Sequence, residues 1–125
     1  MTRVFVYFNL HKKCWSVKAL SGPDKGRVID HVKAVSLYDA EFRVSEAGRQ
    51  RVLRDKRKNV HAGVVGYRQE WPWDYIGDGY WRDVKYNPYR SDRFHVSDGT
   101  KVRSAKMVNL YEDRTVRAYQ PQYAG

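Results

Sequence analysis

The sequence predicts an α+β fold, a mostly antiparallel β-sheet with one principal basic helix over about residues 46–58. Three observations lead there. Runs of β-branched and aromatic residues recur along the chain with turn residues between them. Asp98-Gly99, set between two such runs, is a strong hairpin signal. Between residues 45 and 58 the pattern changes to helical spacing.

Taken in order, RVFVYFNL at 3–10 alternates and reads as a strand. HKK at 11–13 interrupts it and CWSVKAL at 14–20 resumes, so the pair reads as a hairpin. SGPDKG at 21–26 is turn chemistry, punctuated by Gly22-Pro23 and Gly26. Looser alternation in RVIDHVKAVSL at 27–37, and again in AEFRVS at 40–45, predicts further strands. Ser45 then offers a helix cap, and Glu46 stands where the positive end of the macrodipole favours an anion. Gly48 argues against the helix, because an interior glycine costs about 1 kcal/mol relative to alanine. At 100° per residue Ala47, Arg51, Arg54 and Lys58 share one stripe, with Val52 and Leu53 roughly opposite. Asn59 closes the helix, and VHAGVV at 60–65 returns to strand.

Residues 67–89 carry eight aromatics in 23 positions together with Gly77, Gly79, Pro72 and Pro88. Such a segment is a long ordered loop or short strands joined by turns. Beyond it, DRFHV at 92–96 and TKVRSAKMVNL at 100–110 flank the Asp98-Gly99 turn, and DRTVRAYQ at 113–120 adds a last strand. A chain of 125 residues suits one domain with its own core. If it divides at all, it divides into a basic part, 1–66, and an aromatic-rich part, 67–125.

The formal net charge is +10. Residues 1–66 hold 14 Lys/Arg against 6 Asp/Glu, whereas residues 67–125 hold 10 against 8. A basic half points to a polyanion as partner. The single Cys14 excludes an intramolecular disulfide framework and a cysteine-based zinc site. No stretch approaches 18 apolar residues and the N-terminus lacks a signal peptide's order, so no membrane association and a cytoplasmic protein are expected.

The VFVYFNLHKKCWSVKAL stretch, the GRQRVLRDKRKNVHAGVVG stretch and the Tyr-rich tail together resemble small uncharacterised phage and prophage proteins. The resemblance implies expression in an infected bacterial cytoplasm. It implies no activity and no site residues.

Four constellations carry chemistry. In the first, Arg49, Arg51, Arg54, Lys56, Arg57 and Lys58 place six cations in ten positions, opposed only by Asp55. Helical spacing puts such heads within reach of consecutive phosphates, which the planar arginine fork grips bidentately. The bland reading is a solvated helix face. In the second, Trp71, Trp73, Tyr75 and Trp81, with Arg82 beside them, offer rings for unpaired bases; packing over a sheet is the commoner fate of a tryptophan. In the third, Asn59 and His61 share one face of a strand beside the cations, an arrangement open to phosphodiester cleavage and equally to a structural histidine. In the fourth, Asp74, Asp78 and Asp83 match no metal-loop spacing, so no metal is expected. No P-loop, G-x-G-x-x-G or G-x-S-x-G occurs, and no cofactor is expected.

Three function classes remain. The leading one is a non-catalytic binder of DNA or RNA, with phosphates on the basic helix and unpaired bases on the aromatics. The second is an inhibitor of a host or defence protein. The third is a small nuclease centred on His61 with Asn59.

Overall fold

A computed structural model of the chain describes residues 2–68 and 81–124. Eight strands and one helix follow one another: β1 (Arg3–Asn9), β2 (Cys14–Ala19), β3 (Val28–Val32), β4 (Val35–Val44), α1 (Glu46–Asp55), β5 (Ala62–Arg68), β6 (Trp81–Val84), β7 (Val102–Leu110) and β8 (Val116–Tyr123). All eight strands lie in one sheet of order β3-β2-β1-β5-β4-β7-β8-β6. Every pairing between neighbours is antiparallel. The fold class is α+β, as the sequence predicts.

The sheet is coiled, and one short connection requires it. Only Lys33 and Ala34 separate β3 from β4, yet β2, β1 and β5 stand between those strands. Four strand spacings in a flat sheet amount to ~19 Å, whereas three Cα steps reach ~11 Å at most. The indole N–H of Trp15 on β2 also donates to the carbonyl of Tyr111, beyond the end of β7, at 2.9 Å. Across the same concave face the Arg114 guanidinium lies 4.5 Å from the Phe8 ring centroid.

Alternation supplies the core that fills this coil. Val4 and Val6 of β1, Trp15 and Val17 of β2, Leu37 of β4, Val64 of β5, Val108 and Leu110 of β7 and Ala118 of β8 are buried together. The cross-strand partners Val6↔Val17 and Val6↔Val64 show the shared face directly.

A crease runs through the far half of the sheet. Asp39 of β4 and Gln120 of β8 have φ of 45° and 50°, a left-handed conformation uncommon for residues with a side chain. The pairs on either side of Asp39, Tyr38↔Met107 and Ala40↔Ala105, place it level with Lys106 of β7. Met107↔Tyr119 and Ala105↔Pro121 place Gln120 on the same line. One residue in each strand is thus spent on bending, and β4 slips against β5 at this point. Here two of the expected strands, 27–37 and 40–45, differ from what forms. Residues 35–44 make one strand through the crease, because pairing with β7 resumes in the same register on both sides of Asp39.

DRFHV at 92–96 is likewise not a full strand. Only His95 pairs, bridging Lys85 and Lys101, while Phe94 and Val96 close one end of the core.

Candidate nucleic-acid interface

Helix α1 starts at Ser45, whose Oγ accepts the Gly48 N–H at 3.2 Å. The Ser45 N–H in turn donates to the His61 carbonyl at 2.7 Å, tying the start of the helix to the entry of β5. Gly48 and Val52 are the buried helix residues. A Cβ on Gly48 would stand 2.5 Å from His61 Cβ, so the glycine is what allows the helix to lie against that strand entry. The apparent helix breaker is a packing requirement.

The helix ends three residues earlier than its charge pattern suggests. Lys56 takes φ 57°, and its N–H caps Val52 O. A left-handed residue turns the chain out of the helix, so Arg57 and Lys58 lie beyond it, in chain without regular structure. Lys58 therefore does not continue the Arg51–Arg54 stripe.

The six cations fall into two groups. Arg49 is largely buried; its Nη1 contacts Glu46 Oε1 at 2.8 Å, and its Nε donates to Pro88 O at 2.9 Å and Ser91 O at 3.1 Å. It is a clamp between the helix and the 87–91 loop. Arg54 is exposed and paired with Asp55 at 3.0 Å, a contact that raises its pKa further. The Lys56 ammonium lies 5.7 Å from the Tyr89 ring centroid. Arg51, Arg57 and Lys58 are exposed and have no ion pair among the described residues. They gather at or beyond the C-terminal half of the helix, where the negative end of the macrodipole offsets part of their mutual repulsion.

Behind the helix sits a bonded histidine. His61 Nδ1 faces the carbonyl and the side-chain oxygen of Asn59, each at 3.1 Å. Both are acceptors, so Nδ1 carries the proton and Nε2 accepts the Tyr86 hydroxyl at 2.7 Å. Asn59 Nδ2 reaches Gly48 O at 3.3 Å. Burial pushes the Tyr86 phenol up to about 12, which keeps it a neutral donor. Its ring stacks on Phe94, which in turn meets Phe42. A general base at His61 would first have to give up the Tyr86 bond.

Of the aromatics singled out in the sequence, Trp71, Trp73 and Tyr75 lie outside the described residues. Trp81 packs on Tyr119 with centroids 5.3 Å apart, and Arg82 Nη1 donates to the Trp81 carbonyl. Five steps of extended chain, about 17 Å, lie between Trp81 and Tyr86, so β6 holds Trp81 away from the helix. The fold instead brings the loop that follows β6 to it, through Pro88, Tyr89 and Ser91, a loop that also carries Arg90 and Arg93. Tyr89 counted only as one ring of the 67–89 segment, and the local pattern did not mark out the two arginines. Asn87-Pro88 reads as a turn, and nothing in the chain says against what that turn packs.

The family model described as Mycobacterium phage L5 gene 82 protein matches residues 1–118. The gene 82 protein of Mycobacterium phage L5 is 44% identical over 124 residues, covering 93% of this chain and 94% of that relative. The chain belongs to this family. The family is a bacteriophage one, in agreement with the resemblance drawn from the sequence. No solved structure matches the chain. Among the described residues no helix is long and apolar enough to cross a membrane, and no cluster of three or more metal-ligating side chains forms.

Proposed function

We propose that this phage protein binds the phosphate backbone of nucleic acid in the bacterial cytoplasm, along a ridge made by α1, residues 56–58 and the 87–93 loop. One observation carries the reading. Arg51, Arg57 and Lys58 stand exposed without a carboxylate partner among the described residues, beside Lys56 and next to a loop that carries Arg90 and Arg93. Arg49, which does have a partner, fastens that loop to the helix. Unmatched like charges held together destabilise a compact fold, and an anionic polymer removes that cost.

The test is binding of labelled DNA and RNA of mixed sequence across a salt series. Wild type should bind at ~50 mM salt and lose affinity steeply by ~200 mM. The triple variant Arg51→Glu, Arg57→Glu, Lys58→Glu should fold normally, since all three are exposed, and fail to bind. Absence of wild-type binding at the lower salt refutes the proposal.

A further inference from the structure

We infer that Tyr89 is a stacking platform for an unpaired base and that the ridge therefore takes single-stranded nucleic acid; this rests on the phosphate-binding reading above.

Among the described residues the most exposed large apolar side chains are Val60, at 59%, and Tyr89, at 56%. Both border the basic ridge. Val60 follows Lys58 and Asn59 in the chain, and Tyr89 lies against Lys56 and precedes Arg90. Isolated apolar residues on a surface need no explanation. An aromatic ring more than half exposed, within a cluster of cations, has a chemical use. Sites for single strands combine cations that track the backbone with rings on which bases stack. Lys56, its ammonium over the Tyr89 ring at 5.7 Å from the centroid, supplies the first, and the ring, still more than half exposed, the second.

The ring is presented on fixed chain. The Tyr89 N–H donates to Asn87 Oδ1 at 3.0 Å, and the Arg90 and Ser91 N–H groups both donate to Asn87 O at 3.0 Å. Arg49 grips the carbonyls of Pro88 and Ser91, one on each side of Tyr89-Arg90. Tyr86, at the base of the loop, is anchored to His61 and Phe94. The backbone that carries the tyrosine is thus held in place before any ligand arrives, which lowers the ordering cost of binding. Duplex bases have their faces covered by their neighbours, so such a ring favours a strand whose bases are free.

The experiment compares a 20-nucleotide oligo-dT with a 20-base-pair duplex, both fluorescein-labelled, at low salt. Tyr89→Ala should weaken oligo-dT binding roughly 5- to 150-fold and leave duplex binding and the salt slope unchanged. Tyr89→Phe, which keeps the ring, should bind oligo-dT as wild type does. Equal binding of oligo-dT by wild type and Tyr89→Ala overturns the inference, as does an equal loss on both probes, and either leaves the phosphate-binding reading standing. A wild type that binds neither probe overturns that reading instead, and this inference with it. Circular dichroism and thermal unfolding of Tyr89→Ala confirm that the fold is intact.

Discussion

The Tyr86 hydroxyl donates to His61 Nε2 at 2.7 Å, and through this contact the loop that carries Tyr89 is joined to the strand entry on which helix α1 rests. The phenol is held neutral by burial, with its pKa pushed up to about 12. A phenol whose folded-state pKa lies above its unfolded value stabilises the fold fully below about pH 10, and that contribution is lost as pH rises towards 12. At neutral pH, Tyr86→Phe should cost about 0.5–1.5 kcal/mol through the lost hydrogen bond. Above pH 10 the deficit should shrink, because wild type alone must then keep a phenol protonated. Urea unfolding at pH 7 and pH 11 measures both, and a deficit that grows with pH contradicts the arrangement.

Gly48→Ala should reverse the usual sign of a helix substitution. On an open helix alanine gains about 1 kcal/mol over glycine. Here its Cβ would stand 2.5 Å from His61 Cβ, and the helix must move off the strand entry to make room. A net loss of about 1–3 kcal/mol is expected in chemical denaturation. A stabilised variant would mean that α1 does not rest on His61.

Asp55 holds Arg54 at 3.0 Å on an exposed surface. Asp55→Asn frees that guanidinium and removes a carboxylate from the ridge. Affinity for nucleic acid should rise roughly two- to fivefold, the size of a surface ion pair, and the salt dependence should steepen. Fluorescence anisotropy across a salt series reads both, and weaker binding would place the contact elsewhere.

Arg68 at the end of β5 reaches Asp30 of β3 at 2.8 Å, past two intervening strands. Its hydrogen bond is the main cause that holds the Asp30 carboxyl below the usual range. A lowered carboxylate pKa contributes stability above the unfolded value of about 4, and that contribution is lost as pH falls through the folded value. Both side chains are partly exposed, so Asp30→Asn should cost under about 1 kcal/mol at pH 7. The difference from wild type should vanish in acid, as measured by thermal unfolding between pH 2 and pH 7.

The candidate site was legible in the chain only in part. The cluster of cations is a local fact, and so is its helix, with Ser45 as cap and Val52 facing inward. The end of that helix at Asp55 was not legible, because good helix formers continue to Lys58 while Lys56 turns left-handed. The role of Gly48 was hidden for a different reason. Its partner, His61, is thirteen residues away and on another element, so the glycine reads as a weakness until the packing is seen.

The sequence alone determined the α+β class, the phage kinship and the accumulation of positive charge, since patterning, identity and composition are properties of residues near one another in the chain. The tertiary structure alone decided the coil of the sheet, the removal of Arg49 into a clamp and of Trp81 to a distant edge, and the arrival of Tyr89 and Arg90 beside the helix. Each of those depends on contacts between residues far apart in sequence, where side-chain packing and strand pairing, rather than local propensity, set the position of every group.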